Sequence, residues 1–178
     1  MKALKWLHGL NLDKDIFSWL KNQRGQKIWD NCEDDYFMVA VLVNGAAVAP
    51  WILGDCTKEF RLVACEMAES VLPIVEELTH DQRPRKSIEA ARKYVLGKIG
   101  EEELEDNAIM YRGTYAGRLG HAAEAASCTC YPQAYHAMNS AQKASKDSAY
   151  PNPKKEQALK NCAIIRKYFP RWPGPEDT

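Results

Sequence analysis

The sequence has no long apolar run and no excess of either charge sign. No stretch approaches the roughly 18 apolar residues of a transmembrane helix, so no membrane span is predicted. Lys and Arg together number 24, as do Asp and Glu, and the formal net charge is zero. This balance argues against general binding to nucleic acid or to anionic membranes. The lysine-containing start lacks a sustained apolar region, which predicts no signal peptide and a cytoplasmic location.

Motifs of the common enzyme classes are also missing. The chain contains no P-loop, no dinucleotide-binding glycine pattern and no local nucleophile motif around its Ser, Cys or His residues. No cofactor is predicted, and the sequence favours a protein without catalytic activity.

Six cysteines are present, and an even number could form three disulfides. However, Cys32, Cys65 and Cys162 lie within apolar helical patterns, where a free thiol acts as a small buried side chain. Together with the predicted cytoplasmic location, this favours reduced cysteines.

Helical periodicity covers most of the chain and predicts an all-α fold. Apolar residues recur at spacings of three or four, and no segment alternates convincingly at period two. We expect one domain over residues 1–170, a bundle of about six to eight helices with one kinked at a proline. The charged, proline-containing segment 171–178 is predicted to be a flexible C-terminal tail.

Several helix boundaries follow from local signals. One helix is predicted from about Gln26 to Val43, ended by Asn44-Gly45, with a short strand over 39–43 as the alternative. Another begins at Asp55 or Thr57 and extends to about Leu78, with a kink or break at Pro73. Further helices are predicted from Pro84, from an acidic first turn over 101–105, over 134–148, and from Pro153 to just before Pro170.

The segment from His80 to Arg92 combines a helix start with concentrated charge. Pro84 suits the first helical turn, and the carboxylate of Asp81 can accept hydrogen bonds from first-turn N–H groups. The charged residues behind them allow two interpretations, a phosphate site at the helix N-terminus or a set of ion pairs along the helix. The spacing suggests the pairs Arg85–Glu89 and Glu89–Arg92. The charged group comprises Arg83, Arg85, Lys86, Glu89 and Arg92.

A second charged group consists of the carboxylates Asp30, Glu33, Asp34 and Asp35. Oxygen ligands of this kind can bind a divalent cation, and an acidic patch can bind a basic partner. The simpler alternative is the solvated face of an amphipathic helix.

The strongest candidate metal ligands are His121, Cys128, Cys130 and His136. Four such ligands could close a structural zinc site, but their spacing is not a recognised zinc pattern. We therefore predict no metal and keep these four residues as a weak candidate. The alternative is two small cysteines at a helix break and two partly exposed histidines.

Among the five tryptophans, Trp51 is the best candidate for contact with a partner. It follows Pro50 in a segment that is predicted to be an irregular connection, where an exposed aromatic ring could bind another protein.

Several segments together resemble the putative immunity proteins of bacterial polymorphic toxin systems, the family often called Imm5-like. The resemblance rests on Trp29-Asp30-Asn31-Cys32, on residues 64–68 with Val71-Leu72-Pro73, on residues 81–92 and on residues 161–170. The segment from Asp81 to Arg92 is similar to the family's acidic-x-Arg-Pro-Arg-x-x-Ile-Glu-Ala-Ala pattern. The second half departs from the family at Cys128-Thr129-Cys130 and at its glycines.

The resemblance implies an all-α protein that neutralises a toxin by direct binding. We therefore expect a non-catalytic inhibitor of a cognate toxin or, if phage or another mobile element encodes it, of a host defence factor. A second class remains open, a small-ligand- or metal-binding enzyme with a helical cleft near Arg83, Arg85 and either Glu66 or Glu69. A pocket that joins these charges to His80 or His121 would favour the enzyme, whereas an exposed apolar or acidic patch would favour the inhibitor. The oligomeric state and the contact residues do not follow from the resemblance.

Overall fold

Nine α-helices make up the part of the chain that the computed structural model describes, residues 25–48, 55–109, 116–148 and 154–174, and this part contains no strand. The predicted all-α fold is confirmed, with more helices than expected. Within these ranges no helix has the combination of length and apolar character that a membrane span requires. The helices are α1 (Gly25–Asn31), α2 (Asp35–Val48), α3 (Thr57–Glu69), α4 (Pro73–Thr79), α5 (Arg83–Val95), α6 (Glu101–Ile109), α7 (Gly117–Cys128), α8 (Ala134–Ser148) and α9 (Lys154–Tyr168).

The break predicted at Pro73 is confirmed. The helix that begins at Thr57 ends at Glu69, and Pro73 opens the separate helix α4 after a turn. A proline fits the first turn of α4 because its missing N–H needs no partner there. The N-cap residue of α3 is Cys56, not Asp55 or Thr57 as predicted, but the carboxylate of Asp55 accepts a hydrogen bond from the Thr57 N–H at 3.1 Å.

The predicted helix from Gln26 to Val43 is wrong, because the chain breaks at residues 32–34 and forms α1 and α2. The carboxylate of Asp34 accepts hydrogen bonds from the N–H groups of Tyr36 (3.0 Å) and Phe37 (3.3 Å). Such a cap satisfies first-turn donors and starts a new helix. The signal for this start lies inside the acidic run, where the sequence pattern indicates only charge.

The predicted stop at Asn44-Gly45 is also wrong, because α2 continues to Val48. The Asn44 side chain donates a hydrogen bond to the carbonyl of Ala40 at 2.8 Å, one turn earlier in the same helix. Asn44 therefore bonds back into the helix instead of ending it. The strand considered over 39–43 is helical as well.

Two groups of buried side chains form the core, and α3, α7 and α8 contribute to both. The aromatic cluster contains the large rings of α1, α2, α3 and the C-terminal segment, namely Trp29, Phe37, Phe60, Phe169 and Trp172. The alanine cluster joins α3, α4, α5, α6, α7 and α8, and its alanines are Ala68, Ala90, Ala91, Ala122, Ala123, Ala125, Ala126 and Ala144.

The chain after α9 packs on α1, in contrast to the flexible tail predicted over 171–178. Trp172 is buried with its ring edge-to-face against Trp29 at a centroid distance of 6.1 Å. The Trp29 indole N–H donates to the Phe169 carbonyl at 2.7 Å. A Cβ on Gly25 would lie 2.6 Å from the Trp172 ring, so this close approach requires glycine. Residues 175–178 lie outside the described residues.

Candidate functional site

The predicted acidic patch near the start of α2 does not form one surface. Asp30 is exposed and accepts a hydrogen bond from the Gln26 side chain at 2.8 Å. Glu33 pairs with Lys155 at 3.1 Å, and both side chains are largely exposed. The Asp34 carboxylate is engaged as the helix cap. The described residues contain no group of three or more His, Cys, Asp or Glu side chains that could hold a metal ion, so this patch forms no cation site.

Asp35, the fourth residue of the acidic group, is fully buried, which corrects its interpretation as part of a solvated face. Its carboxylate accepts hydrogen bonds from Gln142 (2.7 Å), Asn161 (2.8 Å) and the Lys146 ammonium group (3.0 Å). These donors lie on α8 and α9. A buried charge requires such compensation, and we conclude that Asp35 connects three helices and does not face a partner.

The arginines of the charged segment form ion pairs, but not those that the spacing suggested. The Arg83 guanidinium pairs with Asp81 at 2.8 Å, and the Asp81 carboxylate also accepts a hydrogen bond from the Arg83 backbone N–H, as predicted for a cap. Arg85 pairs with Glu76 of α4 at 2.7 Å in two parallel hydrogen bonds. Arg92 pairs with Glu69 of α3 at 2.7 Å. The Arg85 and Arg92 pairs thus join neighbouring helices, whereas the Arg83–Asp81 pair is local.

Glu66 forms a further connection between helices, this time from α3 to α9. Its carboxylate accepts hydrogen bonds from the Lys167 ammonium and the Tyr168 hydroxyl. Partial burial raises the pKa of Glu66, but these hydrogen bonds outweigh it and hold the pKa below its usual value. Partial burial and the same hydrogen bond raise the pKa of Tyr168 to about 12. The charges that the enzyme alternative placed in a cleft, Arg83, Arg85, Glu66 and Glu69, are therefore each engaged in an ion pair with another residue.

The four candidate zinc ligands are not brought together. Cys128 belongs to the aromatic cluster and Cys130 to the alanine cluster. The His121 ring lies 3.4 Å from the Glu124 carboxylate, and the His136 ring contacts the Tyr135 ring at a centroid distance of 4.2 Å. Burial raises the pKa of both thiols to about 11, which disfavours the thiolate that zinc requires.

An open cleft of about 490 Å³ lies between the start of α3 and the end of α5. Lys58, Arg61, Tyr94 and Leu96 contribute to its walls. It contains neither of the histidines that would have favoured an enzyme, and its walls do not include Arg83 or Arg85. The cleft therefore differs from the one that the sequence suggested.

Arg61 is the buried charge beside this cleft. Its guanidinium donates hydrogen bonds to the backbone carbonyls of Thr129 (2.6 Å), Tyr131 (2.8 Å) and Pro132 (2.8 Å). It also lies over the Tyr94 ring, 5.1 Å from the centroid. Burial lowers the pKa of Arg61. Because three carbonyls already occupy the guanidinium, Arg61 holds the turn between α7 and α8.

The strongest concentration of uncompensated charge lies on α6. Five carboxylates of this nine-residue helix are exposed, and they form the acidic surface Glu101, Glu102, Glu103, Glu105 and Asp106. Leu104, on the opposite side of the helix, is fully buried in the alanine cluster. Within the described part of the chain, none of the five side chains has an ion pair or a hydrogen bond. Because they are five of the 24 acidic residues, the rest of the chain holds 19 acidic residues against 24 Lys and Arg.

An exposed apolar side chain lies in the turn that precedes this helix. Leu96 caps the end of α5 and is 66% exposed. A leucine beside an acidic helix offers an apolar contact next to a charged one. The sequence predicts only a favourable first turn over residues 101–105, because the partner of a carboxylate is visible only in the folded chain.

Trp51, the remaining candidate for partner contact, lies outside the described residues.

Cys32, Cys65, Cys128, Cys130 and Cys162 are buried free thiols, in agreement with the prediction of reduced cysteines. Cys56 is partly exposed.

The sequence matches no protein-family model and has no significant match among curated proteins or among solved structures.

Proposed function

We propose that this protein is a non-catalytic inhibitor that binds a basic protein partner through the acidic surface of α6. The proposal agrees with the resemblance of the sequence to Imm5-like immunity proteins. The partner is a cognate toxin or a host defence factor, and the binding takes place in the cytoplasm.

The observation that carries this proposal is that the five exposed carboxylates of α6 form no ion pair with any side chain in the described ranges. Glu101 and Glu105 are four residues apart, as are Glu102 and Asp106, so each pair lies on neighbouring turns. Like charges at this spacing destabilise a helix by a few tenths of a kcal/mol per pair. The positive end of the helix dipole offsets part of this repulsion in the first turn only. A basic surface would relieve the remainder and would be attracted from a distance.

The state of the other charged residues supports a binding protein over an enzyme. The groups that could have formed a charged pocket, Arg85, Arg92, Glu66 and Glu69, are engaged in ion pairs between helices. A catalytic acid or base needs access to substrate, whereas these groups stabilise the packing of the helices. The exposed acidic surface of α6, in contrast, is available to a second molecule.

The experiment compares three forms of the purified chain in affinity capture from the native host, followed by mass spectrometry. The forms are the wild type, a Glu102→Lys/Glu105→Lys variant of the acidic surface, and a Glu77→Lys/Glu89→Lys control. Glu77 and Glu89 are exposed carboxylates on α4 and α5. The control therefore makes the same change in net charge away from α6.

We expect a basic protein that the wild type and the control retain and the acidic-surface variant loses. With the purified partner, the Kd of the acidic-surface variant should be at least about tenfold higher than that of the wild type, equivalent to about 1.4 kcal/mol. The difference between the two Kd values should be smaller at high salt. Binding should also inhibit the activity of the partner. Capture of a metabolite or a metal without a protein would contradict the inhibitor proposal, whereas equal loss in both variants would contradict the assignment of the surface.

A further inference from the structure

Another cleft, of about 390 Å³, lies between the start of α3 and the segment that follows α9. Asp55 and Glu59 contribute to its wall on the side of α3. The opposite wall is formed by the end of α9 and the chain after it, whose aromatic side chains there are Tyr168, Phe169 and Trp172. A cleft of this volume can hold one side chain or a small molecule.

Glu59 has an unsatisfied polar atom beside this cleft. Its side-chain Oε2 is shielded from solvent, and within the described ranges it has no hydrogen-bond partner. Glu59 lies in the first turn of α3, where the helix dipole favours a carboxylate. The dipole does not replace a hydrogen bond, however, and a shielded carboxylate oxygen without a donor is costly because it has lost its water. The Glu59 carboxylate can therefore gain stability from a donor that a ligand brings.

The wall opposite Glu59 is held in place by hydrogen bonds to other parts of the chain. The Trp29 indole N–H donates to the Phe169 carbonyl at 2.7 Å. The backbone N–H of Trp172 donates to the Gln26 side-chain oxygen, also at 2.7 Å. A wall that is already fixed loses little conformational freedom when a ligand binds. Its aromatic side chains favour a ligand that is cationic and has an apolar part.

Two other glutamates show which cation pairs with a helix carboxylate in this protein. Glu76 and Glu69 each accept two hydrogen bonds from a guanidinium, that of Arg85 and that of Arg92 respectively. The fork of a guanidinium matches both oxygens of a carboxylate, and its weak hydration lets it lie against aromatic rings. An ammonium group is more strongly hydrated and acts as a point charge. The comparison therefore favours a guanidinium at Glu59.

Arg171 also contributes to the walls of the cleft, and it is exposed. Oε2 of Glu59 accepts no hydrogen bond from it. Because like charges repel, the positive charge of Arg171 opposes the binding of a second cation. Removal of this charge should therefore strengthen the binding of a guanidinium, whereas removal of the Glu59 charge should weaken it.

We propose that this cleft binds a guanidinium group on an aliphatic stem, with the Glu59 carboxylate as the acceptor of its N–H groups. The stem lies against the aromatic wall. The group belongs to an arginine side chain of a protein or to a free alkylguanidine, which share this chemistry. The inference is independent of the acidic surface, because no residue of the walls lies on α6.

The experiment titrates the purified full-length wild type with N-acetyl-arginine amide and, in a second arm, with butylguanidine. Two-dimensional NMR follows the backbone amide signals. We expect saturable shifts at residues 56–59 and 168–172 in both arms. Tighter binding of the first compound supports the proposal with an arginine side chain as the natural group, and tighter binding of the second supports it with a free alkylguanidine.

The matched ligand control is N-acetyl-citrulline amide, which replaces the guanidinium with a neutral urea group of similar shape. It should cause no saturable shift, because it lacks the charge that Glu59 attracts. An equal response to the citrulline compound, shifts confined to another part of the chain, or no shift with either guanidine would overturn the proposal. These measurements use the unmodified chain and do not depend on whether a variant folds.

Variants then test the role of Glu59. Glu59→Gln should raise the Kd of N-acetyl-arginine amide at least about tenfold, and Arg171→Gln should lower it. Asp55→Asn is the control in the same cleft and should change the Kd much less, because the Asp55 carboxylate already accepts a hydrogen bond from the Thr57 N–H. Equal weakening in Asp55→Asn and Glu59→Gln, or weakening in Arg171→Gln, would contradict the assignment.

Thermal unfolding separates this role of Glu59 from a structural one. Glu59→Gln should be at least as stable as the wild type, because among the described residues Oε2 has no donor to lose. A large loss of thermal stability in this variant would show that Glu59 supports the fold, and would contradict the proposal.

Discussion

The aromatic and alanine clusters share three helices but use side chains of different size. The aromatic cluster is filled by large rings such as Trp29 and Phe60, and the Phe60 ring lies 5.5 Å from that of Phe169. In the alanine cluster, eight of the fifteen buried members are alanine. Small side chains let helices approach closely but leave no space for larger ones. The aromatic cluster should therefore be sensitive to lost volume or lost polar partners, and the alanine cluster to added volume.

The largest effect is expected at Asp35, which supports α2, α8 and α9 beside the aromatic cluster. Asp35→Ala leaves the Lys146 ammonium and two side-chain amides without their acceptor. Removing one partner from a buried charged network costs about 3–5 kcal/mol. Urea unfolding should show this loss in the free energy of unfolding. Asp35→Asn keeps one acceptor oxygen and should cost less, so an equal loss in both variants would show that charge alone matters.

A smaller effect is expected when volume is added to the alanine cluster. Ala125 is fully buried on α7, and Ala125→Leu should lower the free energy of unfolding by about 1–3 kcal/mol because the neighbouring helices must move apart. Ala163→Leu is the matched control, since Ala163 is exposed on α9. It should change thermal stability very little. If Ala125→Leu were neutral, the proposed difference between the clusters would be wrong.

The smallest effect is expected at Glu66, which connects α3, a helix of both clusters, to α9, whose buried Cys162 and Ile165 belong to the aromatic cluster. Its pKa in the folded protein is below that of the unfolded chain, which is about 4.3. The stability from Glu66 is therefore present above that value and is lost as the pH falls through the folded pKa. Glu66→Gln should be less stable than the wild type at neutral pH, by about 1 kcal/mol or less. This difference should disappear in acid, and Glu77→Gln, at an exposed carboxylate of α4, is the matched control.

Much of the fold could be predicted because local signals and tertiary packing agree. Pro73 and Pro84 each open a helix, and the helix over 134–148 has the predicted limits. The errors lie where a local signal has two meanings. Asp34 belongs to an acidic run but caps α2, and Asn44 precedes a glycine but bonds back into its helix.

The candidate site was less predictable, because charge in a sequence does not reveal its partner. Arg85 and Arg92 have Glu89 at helical spacing, yet they pair with Glu76 and Glu69 on other helices. Bidentate contact with a carboxylate of a neighbouring helix is stronger than an exposed pair within one helix. By the same reasoning, the unpaired state of α6 follows from which helices surround it, and the sequence alone does not contain that information.

Arg61 has a consequence for the order in which the chain folds. The α7–α8 hairpin joins residues that are close in sequence, and such local pairs form quickly. However, the carbonyls of Thr129 and Tyr131 in its turn are bonded by an arginine that comes about seventy residues earlier, on α3. The turn can lose its water only when α3 arrives, because a buried carbonyl needs a partner. Docking of α3 is therefore the step that completes the hairpin and joins the two core clusters.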